Sequence, residues 1–193
     1  MISGIILAGG ESRRMGGADK GLLEFAGQPL IAHVIARIAP QVDELFVSAN
    51  RHLASYAALG YPVVQDDSPV FLGPLAGMLA GLNEAKHEWV LTAPCDTPFL
   101  PADLVRRLYL ATDDVDIVVA SAARVHATVM LCRRALAPDL ANALAQGERK
   151  VQHWQSMQRR AIVVFDDESA FVNLNTPQQL AGAIPNGQHL NRA

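Results

Sequence analysis

The sequence predicts an α/β fold: a single three-layer domain, with a mostly parallel sheet and helices on both faces. Three observations carry that expectation. Short runs that are apolar at nearly every position recur along the chain, as strands buried on both faces do. Between them lie segments with apolar residues three and four apart, the spacing of amphipathic helices. Strands alternating with helices make βαβ units, whose strands run parallel.

The elements follow in order. Ile5–Ala8 is the first strand, ended by Gly9 and Gly10. Leu30, Val34, Ile35 and Ile38 mark the first helix. Leu45–Ser48 and Pro62–Val64 are the next strands. Leu75, Met78, Leu79 and Leu82 mark a helix opened by Gly73-Pro74. Trp89–Ala93 reads as a central strand because it is so uniformly apolar. Pro101-Ala102-Asp103 opens a helix through Leu104, Val105, Leu108 and Leu110. Asp116–Ala120 and Thr128–Leu131 are two further strands. Leu136, Leu140 and Leu144 mark another helix, and Ala161–Phe165 the last buried strand. Thr176-Pro177-Gln178-Gln179 opens a final helix, with Thr176 as N-cap and Pro177 at the first helical position. No repeat or linker-like stretch interrupts the chain. The expectation is one domain over residues 1–183 and a polar tail over 184–193.

Composition narrows the function. The 193 residues carry a formal net charge of -3, with 50% hydrophobic and 18% charged residues. That is too apolar for disorder, and a core of useful size can form. It is not basic enough for broad phosphate neutralisation, so no nucleic-acid partner is expected. Any bound anion must be held by a few placed groups. Cys95 and Cys132 make neither a disulfide framework nor a zinc spacing, and read as reduced, buried thiols. The N-terminal apolar run stops at Gly9-Gly10, too short for a leader or membrane span. A cytoplasmic protein with no membrane partner is expected.

In parallel sheets, ligands sit beyond the carboxyl ends of the strands. The loop after the first strand runs Leu7-Ala8-Gly9-Gly10-Glu11-Ser12-Arg13-Arg14-Met15-Gly16-Gly17-Ala18-Asp19-Lys20. Glycines let a ligand approach main-chain N–H groups, which can form an anion-binding hollow. Arg13, Arg14 and Lys20 would add charge-assisted bonds to phosphate. The spacing matches neither a Walker A loop nor the dinucleotide fingerprint. A solvated surface loop is the other reading. The second signal is Asp96, within Pro94-Cys95-Asp96-Thr97-Pro98 at the end of the expected central strand. One carboxylate there suits Mg²⁺, which binds through one or two carboxylates plus substrate phosphates; a turn aspartate is the alternative. Gly73 to Gly81 reads either as close helix packing or as room for a phosphate or a flat ring at a helix N-terminus. Asn173 and Asn175 share one face of an extended segment, as cleft residues or as part of a helix cap. The histidines show no metal-ligand spacing. Asp113–Asp116 reads as a solvated turn, and Asp166–Glu168 as a loop cluster that either approaches a metal or faces solvent.

Leu7-Ala8-Gly9-Gly10, Arg14-Met15-Gly16 and Lys20 together resemble the signature of nucleotidyltransferases with a Rossmann-like fold, the nucleotide-diphospho-sugar transferase type. Within that group the chain resembles the molybdenum cofactor guanylyltransferase family. Six further segments carry the resemblance in order: Asp19–Leu23, Ala49-Asn50-Arg51, Gly73–Met78, Pro94–Pro98, Gly147–Val151 and Phe171–Pro177. The resemblance implies transfer of GMP from GTP to the terminal phosphate of molybdopterin, with pyrophosphate leaving and Mg²⁺ as cofactor. It implies that Leu7, Ala8, Gly9 and Lys20 contact GTP, Asp66 the nucleoside, and Asp96 both nucleotide and metal. It assigns further functional roles to Gly10, Arg14, Gly17, Gly73, Gly77, Arg149, Asn173 and Asn175, some of them on the pterin side. Arg14, Lys20 and Asp96 are the expected catalytic residues. Ser48 stands where the family often has asparagine, a shorter group at the nucleoside contact. Proteins of cofactor biosynthesis or molybdoenzyme maturation are the implied partners. A cytidylyl- or sugar-phosphate nucleotidyltransferase is the nearest alternative, and a non-catalytic nucleotide-binding scaffold the next.

Overall fold

The structure is a computed structural model that describes residues 1–9, 19–66, 72–175 and 177–183. Gly10, Arg13, Arg14, Gly17, Thr176 and the segment 184–193 lie outside the described residues.

The chain order is β1 Ile2–Leu7, β2 Glu24–Phe25, β3 Gln28–Pro29, α1 Leu30–Ile38, β4 Glu44–Ser48, α2 Leu53–Ala57, β5 Val63–Val64 and α3 Pro74–Glu84. It continues with β6 Trp89–Pro94, α4 Leu104–Tyr109, β7 Ile117–Ser121, β8 Val125–Arg133, α5 Ala137–Ala145, α6 Val151–Ser156, β9 Arg160–Val164 and α7 Pro177–Ala183. Seven strands form one sheet in the order β5-β4-β1-β6-β8-β7-β9. Only β8 runs against its neighbours; the remaining pairs are parallel. β2 and β3 form a separate small hairpin.

Residues adjacent on a strand point to opposite faces, and the core divides accordingly. Ile6, Val47, Leu91, Val118 and Leu131 pack on one face with Ile31, Val34 and Ile38 of α1 and Leu104 and Leu108 of α4. Ile5, Val90, Val119 and Met130 pack on the other with Leu75, Met78 and Leu82 of α3, Leu140 of α5 and Trp154 of α6. This is the expected three-layer arrangement. The glycines of α3 serve it directly: a Cβ on Gly81 would stand 2.2 Å from Ile5 Cδ1, so the helix lies against the sheet with no space for a methyl group. The close-packing reading therefore holds for that end of the Gly73–Gly81 segment.

Three details depart from the expectations. The strand at 160–164 is not buried on both faces but forms the sheet edge, with Ile162 46% and Val164 62% exposed. An apolar run alone cannot distinguish an edge from a centre. Asp116 is not a solvated turn residue, because its carboxylate accepts two 2.8 Å bonds from the guanidinium of Arg159. Asp167 caps the turn Glu168–Phe171 by accepting from the Ser169 N–H, a structural task.

Candidate active site

β1 is the axis of the site. Leu7 pairs with Ser48 of β4 on one side and with Pro94 of β6 on the other, so three parallel strands end on one line. The ladder runs one step past them: the Ala8 N–H donates to Ser48 O at 2.8 Å, and the Cys95 N–H to Leu7 O at 3.1 Å. Each loop therefore leaves the sheet from a fixed point, at its carboxyl rim.

Asp96 stands on that rim, immediately after β6 and Cys95. Its side chain is only 13% exposed. Asn173 Nδ2 donates to its Oδ1 at 2.7 Å and also reaches Thr97 Oγ1 at 3.3 Å. The Asp96 carbonyl accepts the Leu174 N–H at 2.8 Å. The 173–175 segment is thus bound along the 96–97 turn by backbone and side-chain contacts together. On the other side, Lys20 Nζ stands 4.0 Å from Asp96 Oδ2 and donates to Asn175 Oδ1 at 2.5 Å. Lys20 opens a short 3-10 turn, Lys20–Leu22, whose N-cap is Asp19. Four residues separated by up to 155 positions in the chain meet here: Lys20, Asp96, Asn173 and Asn175. Asn173 is turned to Asp96 and Asn175 Oδ1 to Lys20, while the Asn175 N–H donates to Gln179 Oε1 of α7 at 2.7 Å, a helix-capping contact.

The remaining candidates surround this centre. Asn50 and Asp66 exchange two hydrogen bonds: Asn50 Nδ2 donates to Asp66 Oδ2 at 2.6 Å, and the Asp66 N–H to Asn50 Oδ1 at 3.1 Å. The loops after β4 and β5 are thereby joined. Ser48 is buried, and a Cβ on Gly77 would stand 2.5 Å from its Oγ. Gly77 and Ser48 thus touch each other across the α3–β4 contact. Gly73 has φ +81 and precedes α3, with the Arg149 carbonyl 3.7 Å from where its Cβ would be. Positive φ of this kind favours glycine. The Arg149 guanidinium donates to the carbonyls of Leu144 and Glu148, at the carboxyl end of α5, which places it on a helix end rather than against Asp96. The adjoining Glu148 carboxyl is held down to about 2 by the Lys150 N–H and then by His153.

A cavity of about 610 Å³ opens beside Asn173, lined also by His126, Thr128, Lys150 and His153. The His126 ring stacks on Phe171 at 4.7 Å, and burial lowers the His126 pKa, keeping the ring neutral near pH 7. Burial, with the charges of Asp96 and Asp19, pushes the Cys95 thiol up, consistent with a packing role. Among the described residues no cluster of three or more His, Cys, Asp or Glu forms a ready metal cage. Nor is any described helix long and apolar enough to cross a membrane.

Sequence reasoning did not single out Tyr56; it quoted Asn50 and Thr97 only within longer segments, and took His126 only as one of the histidines without metal-ligand spacing. Asn50 sits two residues past the end of β4, at the rim. Tyr56 gave no signal, because its role depends on a partner 37 residues away.

A doubly covered sheet that brings a lysine and a carboxylate together at its carboxyl rim places them where ligands of such α/β proteins sit. The comparisons with known proteins make the class specific. Residues 4–161 match the family model for the MobA-like NTP transferase domain. A molybdenum cofactor guanylyltransferase from Burkholderia lata is 48% identical over 192 residues, 93% of this chain and 94% of the relative. One from Burkholderia vietnamiensis is 50% identical over the same shares. The crystal structure of molybdopterin-guanine dinucleotide biosynthesis protein A from Archaeoglobus fulgidus superposes with a TM-score of 0.77 at 23% identity, covering 94% of this chain and 96% of that one. The chain is therefore a nucleotidyltransferase. It belongs to the molybdenum cofactor guanylyltransferase family, within the MobA-like NTP transferases.

Proposed function

We propose that this protein transfers GMP from GTP to the terminal phosphate of molybdopterin, giving the guanine dinucleotide cofactor and pyrophosphate. The observation that carries the reading is the Lys20–Asp96–Asn173 constellation at the carboxyl rim, in a chain so similar to guanylyltransferases along almost its whole length.

The acceptor is a phosphate monoester, already anionic near neutral pH, so a general base is not required. The barrier is the meeting of two anions. Two like unit charges about 4 Å apart repel by roughly 4 kcal/mol at an effective dielectric of 20. Lys20 offsets part of that and steadies the charge growing on the departing pyrophosphate. The main-chain N–H groups of the first loop, with Arg14, Gly10 and Gly17, would surround the triphosphate. Leu7, Ala8, Gly9 and Asp66 would meet the nucleoside, with Asn50 holding the Asp66 carboxylate in place. Ser48 and Gly77 shape the floor beneath. Orientation for in-line attack supplies the rest of the acceleration.

Asp96 fits a hard cation. Asn173 occupies its Oδ1, whereas Oδ2 faces an ammonium 4.0 Å off, beyond direct hydrogen bonding, and keeps a lone pair for a metal. A single carboxylate suffices for Mg²⁺, which takes its remaining ligands from phosphate oxygens and water. When bound, Mg²⁺ would neutralise phosphate charge at the reacting centre. The cavity at Asn173 is the acceptor side in this reading. Lys150, which lines it, would meet an acceptor phosphate. Gly73 and Arg149 would line the same side. A cytoplasmic setting, with partners in cofactor biosynthesis or molybdoenzyme maturation, accompanies this function.

The test is pyrophosphate release by the purified protein with molybdopterin, Mg²⁺ and either GTP or CTP. The reading expects release with GTP and little with CTP. A preference for CTP, or tight GTP binding without turnover, contradicts it.

A further inference from the structure

We infer that Tyr56 is a positioning residue for Lys20, acting through the carboxylate of Asp19. The inference rests on the proposed function only in taking Lys20 as the cation that meets the phosphates.

Tyr56 lies on α2 and is fully buried. Its hydroxyl donates to Asp19 Oδ1 at 2.5 Å, and the same oxygen accepts the Gly21 N–H at 3.2 Å. Asp19 precedes Lys20 and Gly21 follows it, so the Asp19 carboxylate links the phenol to the Gly21 backbone across the lysine. The fit beneath the turn is close: a Cβ on Gly21 would stand 2.7 Å from the phenol oxygen and 3.4 Å from Cys95 Sγ. The turn therefore rests on the phenol and on the residue next to Asp96, with no slack toward the core. Burial keeps the phenol protonated, so the donor is permanent.

A lysine side chain has four rotatable bonds, and its ammonium can be placed accurately only if its backbone is fixed. Here the turn is tied to Tyr56 through the Asp19 carboxylate, and the ammonium sits between Asn175 and Asp96. Displacements of about 1 Å at a reacting centre can cost on the order of 10²-fold in rate. α2 also follows directly from the loop that carries Asn50, so one short helix relates the nucleoside side of the site to the phosphate side.

A general structural role and a positioning role differ in one measurable way. If Tyr56 acts through Lys20, its removal matters only while Lys20 is present. The experiment uses the full chain as wild type, Tyr56→Phe, Lys20→Ala and the double variant. Guanylyl transfer is followed with radiolabelled GTP, molybdopterin and Mg²⁺, and thermal unfolding is measured alongside. Tyr56→Phe is expected to lower kcat about tenfold, and to change the rate of the Lys20→Ala protein by less than about twofold. Asp19→Ala in both backgrounds is expected to repeat that pattern, and carries the test if Tyr56→Phe does not fold. A folded Tyr56→Phe protein with wild-type kcat overturns the inference. So does an equal loss in both backgrounds. Wild-type kinetics in Lys20→Ala alone would instead overturn the functional reading, and this inference with it.

Discussion

Asp96 illustrates how a single side chain is given two tasks. One carboxylate oxygen secures the 173–175 segment through Asn173, and the other looks toward Lys20. Asp96→Asn keeps an oxygen for Asn173 to bond and should fold normally, whereas Asp96→Ala should also loosen the segment. The Asn variant is expected to lose about 10²–10³-fold in kcat, the range seen when a group stabilising transition-state charge is removed. Circular dichroism and steady-state kinetics on the same sample check both halves. The thiols lead to a second prediction. Burial pushes the Cys132 thiol up to about 12 and raises the Cys95 thiol as well. Since the thiolate is the reactive form, neither cysteine should react with a thiol reagent at pH 8 until the protein is unfolded. Rapid labelling of the native protein would contradict that placement. At this scale the sequence was legible where position alone decides: Asp96 follows a strand, and Lys20 a glycine-rich loop. It was not legible where a partner decides, as for Tyr56 with Asp19 or Asn50 with Asp66, since those pairs exist only once strands have docked.

The elements are held by fits that their own sequences do not announce. Gly81 lets α3 lie on Ile5, which is fully buried and has nowhere to move. Gly81→Ala is expected to destabilise by about 1–3 kcal/mol, the usual cost of overfilling a core. A denaturant midpoint equal to wild type would refute that close approach. Asp116 offers an acid-sensitive contact. The bonds from Arg159 hold its carboxyl below the ordinary value of 3.8, so folding gains stability from the pair above that pH. The gain is lost as pH falls through the lowered folded-state value. Asp116→Asn should therefore melt earlier than wild type at pH 7, with the difference closing in acid; a constant difference at all pH values would contradict the assignment. The β2–β3 hairpin has positive φ at both turn residues, 49 for Ala26 and 82 for Gly27. Alanine is a poor choice there, which is why the turn is hard to read from sequence. The short helices α2 and α6, with five and six residues, were missed for a different reason. α4 is as short as α6 but is announced by Pro101-Ala102-Asp103 and by Leu104, Val105 and Leu108, whereas α2 and α6 each bring only two large apolar residues three apart.

For the whole molecule, the α/β class and the two-faced burial were legible, because period-two strands covered on both sides leave long apolar runs. The strand order was not. The antiparallel placement of β8 between β6 and β7 depends on long-range pairing, and the exposed edge at β9 follows from that order. What the order accomplishes is plain in the outcome: β4, β1 and β6 end side by side, and the segments that follow them carry Asn50, Lys20 and Asp96 at one rim. In the proposed function, phosphate chemistry occurs at that rim, with charge rather than proton transfer supplying most of the catalysis. The most direct measurement is the formation of guanine dinucleotide and pyrophosphate from GTP and molybdopterin, by wild type and Asp96→Asn, with and without Mg²⁺. Mg²⁺-dependent product is expected from the wild type and almost none from a folded variant. Equal product from both proteins would contradict that expectation.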